Sequence, residues 1–160
     1  MASNGISGRE VDESLPYASI TNTVCDNEQF FPAVAYAIFW QESIQGQVNG
    51  KWNAATVESD DGGHGIGQLT SSWPSDWQDP TANITYAVEH YLLPALDYWK
   101  SSLQGDDLVR AIAATYNAGL GAALAGHAQG NIDLYTTDDY AARALASYTA
   151  IVLTGKPAGA

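Results

Sequence analysis

The chain has 160 residues, 46% of them hydrophobic, which suits one domain with a substantial core. Six Lys and Arg stand against 18 Asp and Glu, a formal charge of -12, which points away from nucleic acid and from anionic lipid, since both demand a basic surface. No apolar run approaches the roughly 20 residues of a membrane span, one cysteine, Cys25, excludes an internal disulfide framework, and His64, His90 and His127 fall in no metal-ligand motif.

Residues 1 to about 25, "MASNGISGREVDESLPYASITNTVC", are rich in Ser, Asn and Gly and read as an N-terminal arm or a loosely packed edge. They carry neither the basic n-region nor the apolar h-region of a secretion signal. A first helix is expected after Asp26, which with Gln29 resembles a capping box, and Pro32 is tolerable near a first turn. Phe31, Ala35, Ile38 and Glu42 follow at i, i+4, i+7 and i+11, one stripe of a helix. Glu42 then points with the core-facing residues, near Gly46, which is expected to end the helix. A glutamate there either turns out to solvent from a frayed end or sits half-buried with its carboxyl pKa lifted from about 4.3 toward about 6 by burial and by the negative helix end. The second state suits a general acid.

Residues 46 to 80 hold many Gly, Asn, Asp and Ser around "GGHGIG" and read as a long, irregular, functional segment. Helical patterning resumes from Thr81, with Pro94 expected to kink or split it. "GDDLVRAIAATYNAG" is a helix capped by Asp106 or Asp107 and stopped by Gly119, with Leu108, Ile112 and Tyr116 on one stripe. A short Ala-rich helix over about 120 to 128 follows. The last helix runs from about Asp138 to Leu153, capped by Asp138-Asp139, with Tyr140, Ala144, Tyr148, Ile151 and Val152 inward. The fold class is mostly α, in one domain over 26–160 with little or no β-sheet. Cys25, Trp40 and Trp99 are expected in the core, and His64 in a structural role. Trp52, Trp73 and Trp77 are ordinary packing or sugar-stacking platforms.

Four further landmarks follow Glu42-Ser43 in order: "SDDGGHGIGQL" (59–69), "DPTANI" (79–84), "ATYNAG" (114–119) and "TTDDYAARALASY" (136–148). The series resembles the lytic transglycosylase family, the goose-lysozyme-like catalytic domain. There a Glu-Ser pair is followed by S-x-x-G-A-x-G-L-M-Q, D-P-x-x-N-I, A-Y-N-x-G and a helix opening with tyrosine. The likeness covers about residues 28 to 150.

The resemblance implies a lysozyme-like domain with a substrate cleft, cleaving peptidoglycan. Glu42 takes the place of the catalytic acid and base. Ser59, Gln68, Tyr116, Asn117 and Tyr140 match substrate-binding positions, with Tyr116 and Asn117 facing the carboxylate. No metal or cofactor is called for. The partner is the peptidoglycan glycan strand, and a monomer is expected. A chain of this kind without a signal is expected to be made in the cytoplasm and to act at the bacterial cell wall, as a bacteriophage-type endolysin or virion component does. Two departures stand out. Gly67 replaces the family's methionine, leaving room or flexibility. The interval from Glu42 to Ser59 and the run Glu42-Ser43-Ile44-Gln45-Gly46 are closer to goose-type lysozymes, where aspartates near the Gly-rich turn position a water. Asp60 and Asp61 stand near one such place, while Thr70 occupies the other. The alternatives are a muramidase hydrolysing the same bond, and a catalytically silent component that binds peptidoglycan.

Overall fold

The computed structural model describes residues 3–160, and among these the chain is mostly helical with no sheet. Its centre is α2 (Pro32–Phe39), "PAVAYAIF", in which all eight residues are buried. A helix apolar all round has no solvent face to offer and must be surrounded. Pro32 opens it at a position where the missing N–H has no intrahelical partner to lose. The same rod continues through a π-helical turn, Trp40–Ile44, into α3 (Gln45–Val48). Gly46 therefore does not end the helix. Its missing side chain admits the Trp52 ring, whose Cε2 would lie 2.0 Å from an added Cβ.

The helix expected to start after Asp26 begins only at Pro32, and a separate helix precedes it. This is α1 (Ala18–Glu28), and Asp26 lies in its last turn. The expected arm is accordingly packed structure over most of its length: Ile6, Val11, Ala18, Val24 and Cys25 are buried. Asn22 on α1 is also buried and holds the chain before it, accepting from Val11 N at 3.0 Å and donating to Val11 O at 2.8 Å. Residues 1 and 2 of that arm lie outside the described residues.

After the irregular segment, α4 (Pro80–Ala87) is capped by Asp79, whose carboxylate accepts from Ala82 N at 3.1 Å. A second π-helical turn, Val88–Leu92, leads into α5 (Leu93–Trp99), so the rod is modified just before Pro94. α6 (Gly105–Ala118) ends at Gly119 as expected, but Asp106 and Asp107 lie in its first turn and Gln104 holds the cap position without a side-chain bond. α7 (Leu120–Ala128) is short. α8 (Tyr140–Thr154) packs on α2 and α6, burying Tyr140, Ala144, Tyr148 and Ile151, while Val152 is half-exposed. Asp138 and Asp139 do not cap it through their side chains. The carboxylate that does is Asp133, accepting from Ala141 N at 2.7 Å and Ala142 N at 3.0 Å.

Candidate active site

Glu42 lies within the π-helical turn, half-buried, where α2 leaves the core. A π turn widens the helix and redirects its carbonyls, and such turns recur at functional sites. Here the Ser43 carbonyl accepts a 2.6 Å bond from Trp52 Nε1, and the Ser43 hydroxyl donates to Ile66 O at 2.7 Å. The Glu-Ser pair thus divides its work: Ser43 clasps the Gly-rich segment, and Glu42 faces it.

That segment is two tight turns back to back. Ser59 N donates to Gly63 O at 2.9 Å, and His64 and Leu69 exchange backbone bonds of 3.1 and 3.2 Å. Asn83, from the "DPTANI" stretch, is buried and holds three backbone groups of this region. Its Oδ1 accepts from Gly67 N at 2.8 Å, while its Nδ2 donates to His64 O at 3.0 Å and Trp77 O at 2.9 Å. The close approach dictates the glycines. At Gly65 (φ 67) a Cβ would lie 2.4 Å from Asn83 Nδ2, and at Gly67 one would lie 2.8 Å from the Tyr116 hydroxyl. Gly67 therefore leaves no vacant space where the family pattern has methionine, because Tyr116 fills it and donates to the Gly67 carbonyl.

The Glu42 carboxyl accepts a 2.7 Å bond from the Tyr140 hydroxyl, which reaches it from the first turn of α8. Burial pushes the Glu42 pKa up to about 7; the Tyr140 bond opposes this, the Asp61 charge adds to it, and Arg143 opposes it. The helix end contributes little, since the rod runs on to Val48 and the dipole acts over the last turn. Asp61 is held by the Ser59 hydroxyl and by Gly63 N at 3.3 Å, and the Ser59 bond foremost lowers its pKa, so it stays anionic beside Glu42. Burial and the Glu42 charge both raise the Tyr140 phenol well above its usual value, which keeps it a proton donor.

Glu42 and Tyr140 are thus joined directly, while Asp61, held by Ser59, bears on Glu42 through its charge. Tyr116 lies near enough for the Glu42 charge to raise its pKa further, after burial, but its hydroxyl is engaged with Gly67. Gln68, at φ 49, turns its amide inward to Gly65 O at 3.0 Å, so it supports the turn. Asn117 accepts from Thr137 N at 2.9 Å and braces the loop before α8. Asp60 is exposed and outside this bonding. Tyr140 is buried, with its hydroxyl on the carboxyl. A cavity of about 380 Å³ borders Tyr116 and Asn117 and is also lined by Thr70, Tyr91 and Tyr98; Glu42 is not among its walls.

His64 is structural, as expected. Its Nδ1 lies 2.9 Å from Leu69 O, its Nε2 lies 3.0 Å from Glu58, and its ring stacks on Trp73 at 3.9 Å. Trp40 and Trp99 are buried, and Trp52 and Trp73 are each 43% exposed. Cys25 is buried, which pushes its thiol up to about 12 and makes it inert. Among the described residues no cluster of His, Cys, Asp and Glu is arranged to hold a metal. Sequence reasoning passed over the roles of Asn83, Asp133 and Arg143. Only Asn83 carried a signal, as the last polar residue of "DPTANI". Compared with known proteins, the chain matches no family model, no curated protein and no solved structure.

Proposed function

We propose that the protein is a peptidoglycan lytic transglycosylase acting at the bacterial cell wall. The observation that carries this reading is the half-buried Glu42 carboxyl, raised to about 7 and oriented by Tyr140. A carboxylic acid that keeps its proton near neutrality can protonate a glycosidic oxygen, and the same group, once ionised, is a competent base. Glu42 gives its proton to the oxygen joining N-acetylmuramic acid to N-acetylglucosamine, and that C1–O bond breaks. The acetamido oxygen of the muramoyl unit captures C1, a substrate-assisted route that needs only one enzyme carboxyl. Ionised Glu42 then takes the proton of the C6 hydroxyl, O6 displaces the acetamido oxygen from C1 so that that bond breaks and the acetamide is restored, and the 1,6-anhydro ring forms.

A hydrolytic outcome is the second reading, favoured by one observation: Asp61 stands anionic within electrostatic reach of Glu42. A water held by Asp61 would attack C1 in place of O6 and leave a reducing end. Mass spectrometry of the products from purified peptidoglycan separates the readings. Anhydro-muropeptides support the transglycosylase, reducing muropeptides support a muramidase, and an unaltered polymer would mean a silent binding component.

A further inference from the structure

We infer that Arg143 is a positioning residue for the candidate acid, acting through the loop before α8 and through Tyr140. The inference rests on the reading of Glu42 as the acid.

Arg143 sits one turn into α8, exposed, yet its guanidinium is fixed. Nε donates to Asp138 O at 2.8 Å, Nη2 donates to Thr137 O at 3.2 Å, and its central carbon lies 5.8 Å from the Tyr140 ring centroid. One side chain therefore grips two successive carbonyls and covers the aromatic ring that follows them. A planar fork of donors suits this and an ammonium does not.

The loop needs such a grip. Asp138 and Asp139 both take left-handed backbone conformations, with φ 49 and 54. Such conformations cost energy for any residue but glycine and persist where surroundings over-determine them. Three side chains do so here. Arg143 holds the carbonyls of residues 137 and 138, Asn117 takes the N–H of Thr137, and Asp133 takes those of Ala141 and Ala142. Tyr140 stands at the centre of these bonds, and its hydroxyl reaches Glu42.

Arg143 also supplies charge. The groups that bear on Glu42 are Tyr140 and Arg143 from α8, Asp61 from the Gly-rich segment and Tyr116 from α6. Arg143 is the cation among them, opposing Asp61 in a chain with six Lys and Arg in all. Its effect is greatest when Glu42 has released its proton and must remain stable as a carboxylate. Touching no reacting atom, it sets the orientation and proton affinity of the group that does.

The test compares the wild type with Arg143→Gln and Arg143→Lys. The Glu42 Cδ resonance is followed against pH in protein labelled with ¹³C at glutamate, with turnover on peptidoglycan measured in parallel. Arg143→Gln should move the Glu42 midpoint upward by roughly 0.5, the effect of losing one solvent-screened positive charge. Its kcat should fall about tenfold with KM within twofold, the mark of a misoriented acid. Arg143→Lys should restore the midpoint but only part of kcat, because it keeps the charge without the fork. An unchanged midpoint and kcat in Arg143→Gln, with lower unfolding stability only, would reduce Arg143 to a loop staple. If Arg143→Gln does not fold, Arg143→Lys decides alone, and wild-type kcat in it overturns the inference. Failure of the wild type to cleave peptidoglycan defeats the proposed function, while the midpoint comparison still judges Arg143.

Discussion

The Tyr140 hydroxyl and the Glu42 carboxyl, 98 positions apart in sequence, are joined by a 2.7 Å hydrogen bond with Tyr140 donating to Oε1. The bond ties the first turn of α8 to the π-helical turn after α2 and fixes the orientation of the carboxyl. Tyr140→Phe removes the bond while keeping the ring. Because that bond lowers the proton affinity of Glu42, the variant should titrate above 7, and the fall of activity at high pH should move the same way. A loss of about tenfold in kcat is expected, the worth of one charge-assisted hydrogen bond. A pH–rate profile of the two proteins checks this.

The position of Glu42 sets a trade between stability and chemistry. Its pKa stands at about 7 in the folded protein against 4.5 for the free side chain. The folded state thus binds the extra proton, and this group's stabilising contribution is present below 4.5 and lost as pH rises through 7. The difference corresponds to at most about 3–4 kcal/mol. Glu42→Gln, neutral at every pH, should be more stable than wild type at pH 8 by roughly 1–3 kcal/mol and equal to it near pH 4. Urea unfolding at both pH values measures the difference, and equal stability at pH 8 would mean an unburied carboxyl.

The Gly-rich segment depends on Asn83. Its side chain holds Gly67 N, His64 O and Trp77 O. Truncation leaves Gly67 N and Trp77 O without a partner, at about 1–3 kcal/mol each, while His64 O keeps the Leu69 N–H. Asn83→Ala should destabilise the fold by about 3 kcal/mol or more in chemical denaturation. The proposed glycan cleavage should fail with it, because Ser43 and Tyr116 grip the same segment.

The cap of α8 gives a contrast between two aspartates. Asp133→Ala should cost about 1–2 kcal/mol, the usual loss for a cap, and expose the amides of Ala141 and Ala142 to hydrogen exchange. Asp139→Asn should lie within about 0.5 kcal/mol of wild type, since Asp139 makes no side-chain cap bond and Asn tolerates the left-handed conformation.

These two aspartates also mark where sequence reasoning stops. The pair before Tyr140 has the local pattern of a cap, but the bonds come from Asp133, seven positions or more before the helix, through a loop whose path no local rule dictates. The mostly α class, the C-terminal end of α6, the span of α7 and most of the buried stripe of α8 were readable because apolar spacing and Gly119 are local signals. α1 was not: "ASITNTVCDNE" is polar and weakly amphipathic, and its buried Asn22 earns its place through the distant backbone of Val11. Glu42 could be singled out from its stripe, but the π turn that presents it leaves no periodic trace. Gly46 looked like a helix stop because the Trp52 ring that occupies its space is a tertiary partner. Tyr116 and Asn117 were expected to face the Glu42 carboxylate. The Tyr116 hydroxyl donates to Gly67 O and Asn117 Oδ1 accepts from Thr137 N, tertiary bonds that no local pattern announces, while both residues border the cavity beside α6.

The central claim is that Glu42 carries the proton in glycan cleavage. Its most direct measurement is the release of soluble muropeptides from purified peptidoglycan at pH 6 by wild type and by Glu42→Gln, with circular dichroism confirming that both are folded. Anhydro-muropeptides are expected from the wild type and none from the variant. Undiminished release by folded Glu42→Gln would contradict the claim.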